Sequence, residues 1–199
     1  MSDLTPSVPH EPARITVEQY FGLAEAGILT EDDRVELLEG VIVSMSPGSP
    51  AHASAVAKVT RALLSVVGDR ASVRPQLTFV AGEYSAPEPD LAVVPGRDSD
   101  YEEAHPIAAL LVVEVALTSL AQDRLTKSRI YARAGVPEYW IVNLRERVVE
   151  VMRDPDPTRA RYLSFRTCTG DDGIALVGVP GASVRAGDLL PQPSGGGFV

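Results

Sequence analysis

An α/β domain, an α+β arrangement built on one mixed sheet, is the fold class this sequence predicts, and three observations carry it. Helical and strand-like periodicities alternate along the chain in the order helix, strands, helix, strands. Residues 109–117 form an apolar run broken only by Glu114, the pattern of a central strand buried on both faces. Residues 51–67 place His52, Val56, Val59, Leu63 and Val66 or Val67 on one face, as an amphipathic helix requires.

The elements follow in order. Residues 1–14, with three prolines, are expected to be a flexible arm, and residues 191–199, ending Ser-Gly-Gly-Gly-Phe-Val, a flexible tail. Between them, 15–190 is expected to be a single domain. Thr16 can cap a helix over 17–26, with Glu18 and Gln19 in its first turn and Gly27 at its end. The runs 34–38 and 41–45, hinged at Glu39-Gly40, read as a hairpin. After the Pro-Gly-Ser-Pro stretch comes the 51–67 helix, which Gly68 stops. Strands are expected over 72–74 with 76–80, and over 91–94, separated by a polar turn at 82–87. Beyond the 109–117 strand, a helix over 119–134 ends at Gly135. Strands over 139–143 and 148–153 and a weaker one over 162–167 complete the pattern.

Composition narrows the function. No apolar stretch approaches the ~20 residues of a membrane span, and the first 14 residues lack a signal-peptide core, so a cytoplasmic location is expected. A single cysteine, Cys168, rules out an intrachain disulfide framework and a cysteine-rich zinc site. The net charge of −9 argues against a high-affinity nucleic-acid binder held by its overall field. It leaves room for an enzyme whose metal ions and local cations meet a phosphate. The locally basic stretch is 123–147, and on the 119–134 helix Gln122, Thr126, Arg129 and Arg133 form a polar stripe expected to face water.

Three ionisable residues stand where a fold would want apolar ones. Glu114 interrupts the central strand, Asp90 sits in Pro-Glu-Pro-Asp just before Leu-Ala-Val-Val, and Lys127 follows Glu114 by 13 residues. A carboxylate in such a run costs several kcal/mol, roughly, unless protonated, paired or bound to metal. On the 119–134 helix, Leu120, Arg124, Lys127, Tyr131 and Ala134 lie on or beside the inner side, which presents Lys127 to the protein. Plainer readings remain open at this point: a surface pair between Lys127 and Asp123, a buried pair between Glu114 and Arg124, and a turn cap for Asp90. Two oxygen ligands from neighbouring strands suit Mg2+, with Mn2+ as a substitute, and a lysine beside them can stabilise a phosphoryl transition state.

The stretches Glu36-Leu-Leu-Glu-Gly, Met45-Ser-Pro with His52 shortly after, Gln76, Pro87-Glu-Pro-Asp-Leu, Asp123-Arg with Lys127 and Tyr131, and Gly135-Val-Pro-Glu-Tyr-Trp-Ile-Val together resemble the Uma family of putative restriction endonucleases, found widely in bacteria, within the PD-(D/E)xK nuclease superfamily. The resemblance covers roughly residues 15–165. It implies a restriction-endonuclease-like core, a mixed sheet flanked by helices, in which Asp90 and Glu114 bind Mg2+ and Lys127 completes the catalytic set. Glu36, His52 and Gln76 are implied accessories, with a hairpin surface charge, a hydrogen-bonded core histidine and a strand-edge amide as their structural alternatives. The superfamily lysine usually lies two residues after the glutamate; here that residue is Ala116, so Lys127 has to replace it. The expected activity is endonucleolytic cleavage of DNA. The rivals are a noncatalytic binding or assembly module on the same fold and a hydrolase of another phosphodiester. Tyr131, Tyr139 and Trp140 are assigned to the core, Glu88 to a solvent-facing turn. The apolar segment 139–142 could support a homodimer.

Overall fold

The computed structural model describes residues 13–30 and 32–191. Its centre is a six-stranded sheet in the order β3-β4-β5-β6-β7-β8, formed by Ser72–Pro75, Leu91–Val94, Leu111–Ala116, Glu138–Asn143, Val148–Asp156 and Arg161–Cys168. Only β5 and β6 run parallel; every other neighbouring pair in this sheet is antiparallel. A parallel pair needs a crossover, and the helical segment between Leu120 and Arg133 provides it.

Local chemistry explains the N-terminal half. Helix α1, Val17–Glu25, opens on a capping box between Thr16 and Gln19, and Gly27 follows it with a φ of +69°. The hairpin of β1, Val35–Leu38, and β2, Val41–Ser44, turns through Glu39 and Gly40 at φ of +50° and +82°. Two successive positive φ values match the right-handed twist of the strands. Gly40 is required for a second reason, since a Cβ there would lie 2.5 Å from that of Arg14. Helix α2, Pro50–Val67, is capped by Ser49, has proline at its first position, and buries Ala55, Val56, Val59, Leu63 and Val67.

The sheet separates two apolar layers. On one side α2 packs with Val113, Val115, Trp140, Val142 and Val151. The same layer takes in Ile174, Leu176, Val184 and Leu189 from β9, Gly173–Ala175, β10, Ser183–Arg185, the short helix α5, Ala186–Leu189, and the turns between them. The other side holds Val112, Ala116, Tyr139, Ile141 and Met152 under Ile130 and Tyr131. Glu114 belongs to this second face, between Val112 and Ala116.

Four expectations are corrected. Residues 76–80 form no strand. Gln76 turns at a φ of +50°, and Phe79 and Val80 donate instead to the carbonyls of Pro87 and Pro106. Pro87 and Pro89 have no N–H to contribute to a ladder opposite them. The expected 119–134 helix is interrupted: α3, Leu120–Gln122, and α4, Ser128–Arg133, flank a π-helical turn over Asp123–Lys127, in which Ser128 N–H reaches the Asp123 carbonyl. The segment 139–142 is no edge. It lies in β6, paired on both sides and fully buried, so it offers no dimer surface. Residues 168–190, to which the sequence reading gives no elements, hold β9, β10 and α5. The expected arm and tail lie outside the described residues except for Ala13, Arg14 and Pro191. Among the described residues, no helix is long and apolar enough to cross a membrane.

Candidate active site

The register of β4 and β5 brings the acidic pair together. Leu91 faces Val113, so the next positions outward are Asp90 and Glu114. Gln76 lies opposite Asp90 on the other side by the same count, and its backbone N–H donates to the Asp90 carbonyl at 3.1 Å. The Gln76 side chain is exposed and makes no hydrogen bond among the described residues, so only its backbone supports the site.

Asp90 is a strand-end carboxylate facing the cluster, and it caps no turn. Its Oδ2 accepts the Val115 N–H at 2.8 Å and pairs with His52 Nε2 at 3.1 Å. Its N–H points at Glu114 Oε2 over 3.4 Å. His52 is presented by the first turn of α2 and is half-buried. The hydrogen bond to Asp90 raises its pKa, against the opposing effect of burial.

Glu114 is only 4% exposed. Its Oε1 accepts from Lys127 Nζ at 3.0 Å and from the Tyr131 hydroxyl at 2.8 Å. Burial pushes its pKa up to about 8; Lys127 opposes this, and Asp123, Asp90 and Glu36 reinforce it. Lys127, 7% exposed, also lies 3.3 Å from Glu36 Oε2. Burial works against its charge, yet Glu114, Glu36 and Asp123 together hold its proton more tightly than in water.

Glu36 is buried on β1 and accepts the Glu88 N–H at 3.2 Å, so it is a site carboxylate and no surface charge of the hairpin. Glu88 is correspondingly half-buried, and desolvation, then Glu36, raises its pKa. The surface pair between Lys127 and Asp123 does not form. Asp123 is 2% exposed and accepts from Ser119 Oγ at 2.6 Å; burial pushes its pKa up to about 6. Arg124 does not reach Glu114 either. It is exposed and forms a two-pronged pair with buried Glu150, at 2.9 and 2.5 Å, which Asn143 also contacts at 3.1 Å. The polar stripe leans on the hairpin: Arg129 and Arg133 both pair with Glu39. The reading from sequence missed Asp123 and Tyr131 as members of the site. Their signal was position, since both fall four residues from Lys127.

Among the described residues, no group of three or more His, Cys, Asp or Glu side chains is arranged to hold a metal ion. The donors at hand are the two carboxylates, and their chemistry fits a hard cation that keeps most of its own water. Protein donors engage one oxygen of each, Oδ2 of Asp90 and Oε1 of Glu114. Asp90 Oδ1 accepts nothing among the described residues, and Glu114 Oε2 has only the long contact to Asp90 N–H.

A mixed sheet whose adjacent strands bring an aspartate and a glutamate beside a buried lysine is the arrangement that the resemblance to restriction-endonuclease-like proteins implies. The chain belongs to the Uma2 family, described as putative restriction endonuclease, whose model matches residues 17–187. Among solved structures it is similar to a putative nuclease of the family DUF820 from Anabaena variabilis, at 19% identity and a TM-score of 0.69, over 88% of this chain and 97% of the other. A second overlap, with the type IIG restriction endonuclease BpuSI, has 20% identity and a TM-score of 0.35 over 61% of this chain and 14% of that one. No curated protein matches the sequence.

Proposed function

We propose that the protein is a Mg2+-dependent endonuclease that hydrolyses phosphodiester bonds in DNA, with Mn2+ as a substitute cation. The observation that carries this reading is the buried contact of Glu114 with Lys127, beside Asp90 on the neighbouring strand. Asp90 and Glu114 would hold the cation through the oxygens that protein donors leave available. A bound cation supplies Lewis acidity, neutralising phosphate charge and easing deprotonation of a water.

The remaining steps belong to the chain's own residues. Val115 N–H and His52 fix the Asp90 carboxylate from one side. An ammonium has three N–H donors; Glu114 Oε1 accepts one of those on Lys127, and Glu36 Oε2 lies 3.3 Å away as an ion-pair partner. A donor that Glu114 does not take would meet a phosphate oxygen, where a buried positive charge stabilises the charge that builds in the transition state. Lys127 thus does from a helix what the superfamily pattern does from the strand, where this chain carries buried Ala116.

Incubation of the purified protein with plasmid and with single-stranded DNA should give nicking in Mg2+ or Mn2+. EDTA, Asp90→Ala and Glu114→Ala should each abolish it. Cleavage that survives any of the three sinks the assignment. A noncatalytic module would cleave nothing under any of these conditions.

A further inference from the structure

The structure assigns Tyr131 as a positioning residue for Glu114, an inference that deepens the proposed site and rests on it. Three observations converge. The Tyr131 hydroxyl donates to Glu114 Oε1 at 2.8 Å, to the same oxygen that Lys127 contacts at 3.0 Å. A carboxylate with two donors on one oxygen is fixed in rotation about its last bond, which turns Oε2 toward Asp90. The ring that carries the hydroxyl cannot itself swing. It is fully buried, with its centroid 5.0 Å from that of Tyr139 and 6.3 Å from that of Phe79.

Packing alone does not account for this arrangement. The apolar layer around Tyr131 would accept a phenyl ring, and the hydroxyl is directed at the one carboxylate that interrupts β5. The neighbouring Tyr139 supplies the contrast: its hydroxyl, equally buried, donates at 3.2 Å to the backbone carbonyl of Asp123 and touches no site carboxylate. The π-helical turn ends at Lys127, and from there the α-helical spacing of four in α4 puts Tyr131 on the same face as Lys127. Their convergence on one oxygen is the outcome. Without the Tyr131 hydroxyl, Oε1 would keep only Lys127, and the long contact from Asp90 N–H to Oε2 would be left to oppose rotation of the carboxylate.

The test compares Tyr131→Phe with Tyr139→Phe, which delete the same hydroxyl from adjacent buried rings. Mn2+ binding is read by electron paramagnetic resonance on the full chain, with thermal unfolding recorded for both variants. Loss of an outer-sphere partner typically weakens metal affinity by about 10–100-fold. Tyr131→Phe should fall in that range, with kcat on plasmid DNA reduced and KM for DNA unchanged. Tyr139→Phe should bind Mn2+ as the wild type does. Equal Mn2+ affinity in Tyr131→Phe and wild type, or an equal loss in both variants, overturns the positioning role while leaving the metal site standing. A wild-type protein that takes up no Mn2+ overturns the site and this inference together.

Discussion

Raising the pH from about 5 to about 8.5 should weaken the fold, and Glu114 should be the main reason. A carboxyl whose folded-state pKa lies above its unfolded value binds its proton more tightly in the folded chain. Its contribution to stability is therefore complete below the unfolded value and disappears as pH climbs through the folded one. For Glu114 that window runs from 4.5 to about 8. Each tenfold change in proton affinity is about 1.4 kcal/mol, which bounds the whole effect at about 4–5 kcal/mol. Relaxation of the pocket makes about 2–4 kcal/mol the expected fall. Asp123 acts in the same direction between 3.8 and about 6, and His52, held up by Asp90, does so just above 6.5. Glu114→Gln keeps the shape and an acceptor for Lys127 while removing the titrating proton. Urea unfolding of both proteins, followed by circular dichroism across this range, separates the contributions. The wild type should lose stability most steeply between about pH 6 and pH 8, and the variant should be flatter there. The two should converge near about pH 5, where Glu114 is protonated. A variant that declines as steeply as the wild type refutes the reasoning, because the titrating group would then lie elsewhere.

Three further outcomes follow from the contacts described above. Lys127→Met leaves Glu36 and Glu114 buried without their cation and should cost about 3–5 kcal/mol at about pH 8, less at about pH 5, with cleavage lost. Arg129→Ala, which removes one of two half-exposed partners of Glu39, should cost under about 1 kcal/mol; denaturation midpoints in the reverse order would contradict the burial assigned to each pair. Leu63→Ala opens a void between α2 and the sheet and should cost about 2–5 kcal/mol, visible as a lower urea midpoint at unchanged slope.

What could be read from the sequence was whatever local chemistry decides. The Thr16 cap, the Glu39-Gly40 turn and the Ser49-Pro50 helix start each depend on residues within a turn of one another. Glu114 was legible because no apolar strand accommodates a carboxylate without a partner. Partners were harder to read. Glu36 looks like an ordinary polar position of a hairpin, and the cation that its buried carboxylate meets, Lys127, is 91 residues away. Tyr131 on an inner helix face reads as packing, which it is, and only the fold shows its hydroxyl at Glu114. Helical spacing offers Asp123 as a surface partner for Lys127, but both residues of the π-helical turn are buried and Ser119 donates to the Asp123 carboxylate. The strands β9 and β10, three residues each, carry too little periodicity to register, and their burial comes from the layer they close.

The electrostatics of the pocket set the order in which its ligands can arrive. Glu36, Asp90, Glu114 and Asp123 surround one ammonium and a half-buried imidazole, so full ionisation leaves a negative excess in a poorly solvated place. Proton uptake answers that excess in the unliganded protein, which is why burial raises both Glu114 and Asp123. In the proposed function a divalent cation would answer it by competing for the same oxygens, so its binding would release protons and tighten as pH rises. A phosphate arriving first would meet carboxylates, in a chain whose net charge is already −9. Lys127 cannot reverse this alone, because Glu114 and Glu36 already claim most of its charge. The acidity that argues against a simple DNA-binding protein is therefore consistent with a nuclease in which Asp90 and Glu114 must be neutralised before the remaining N–H of Lys127 meets substrate.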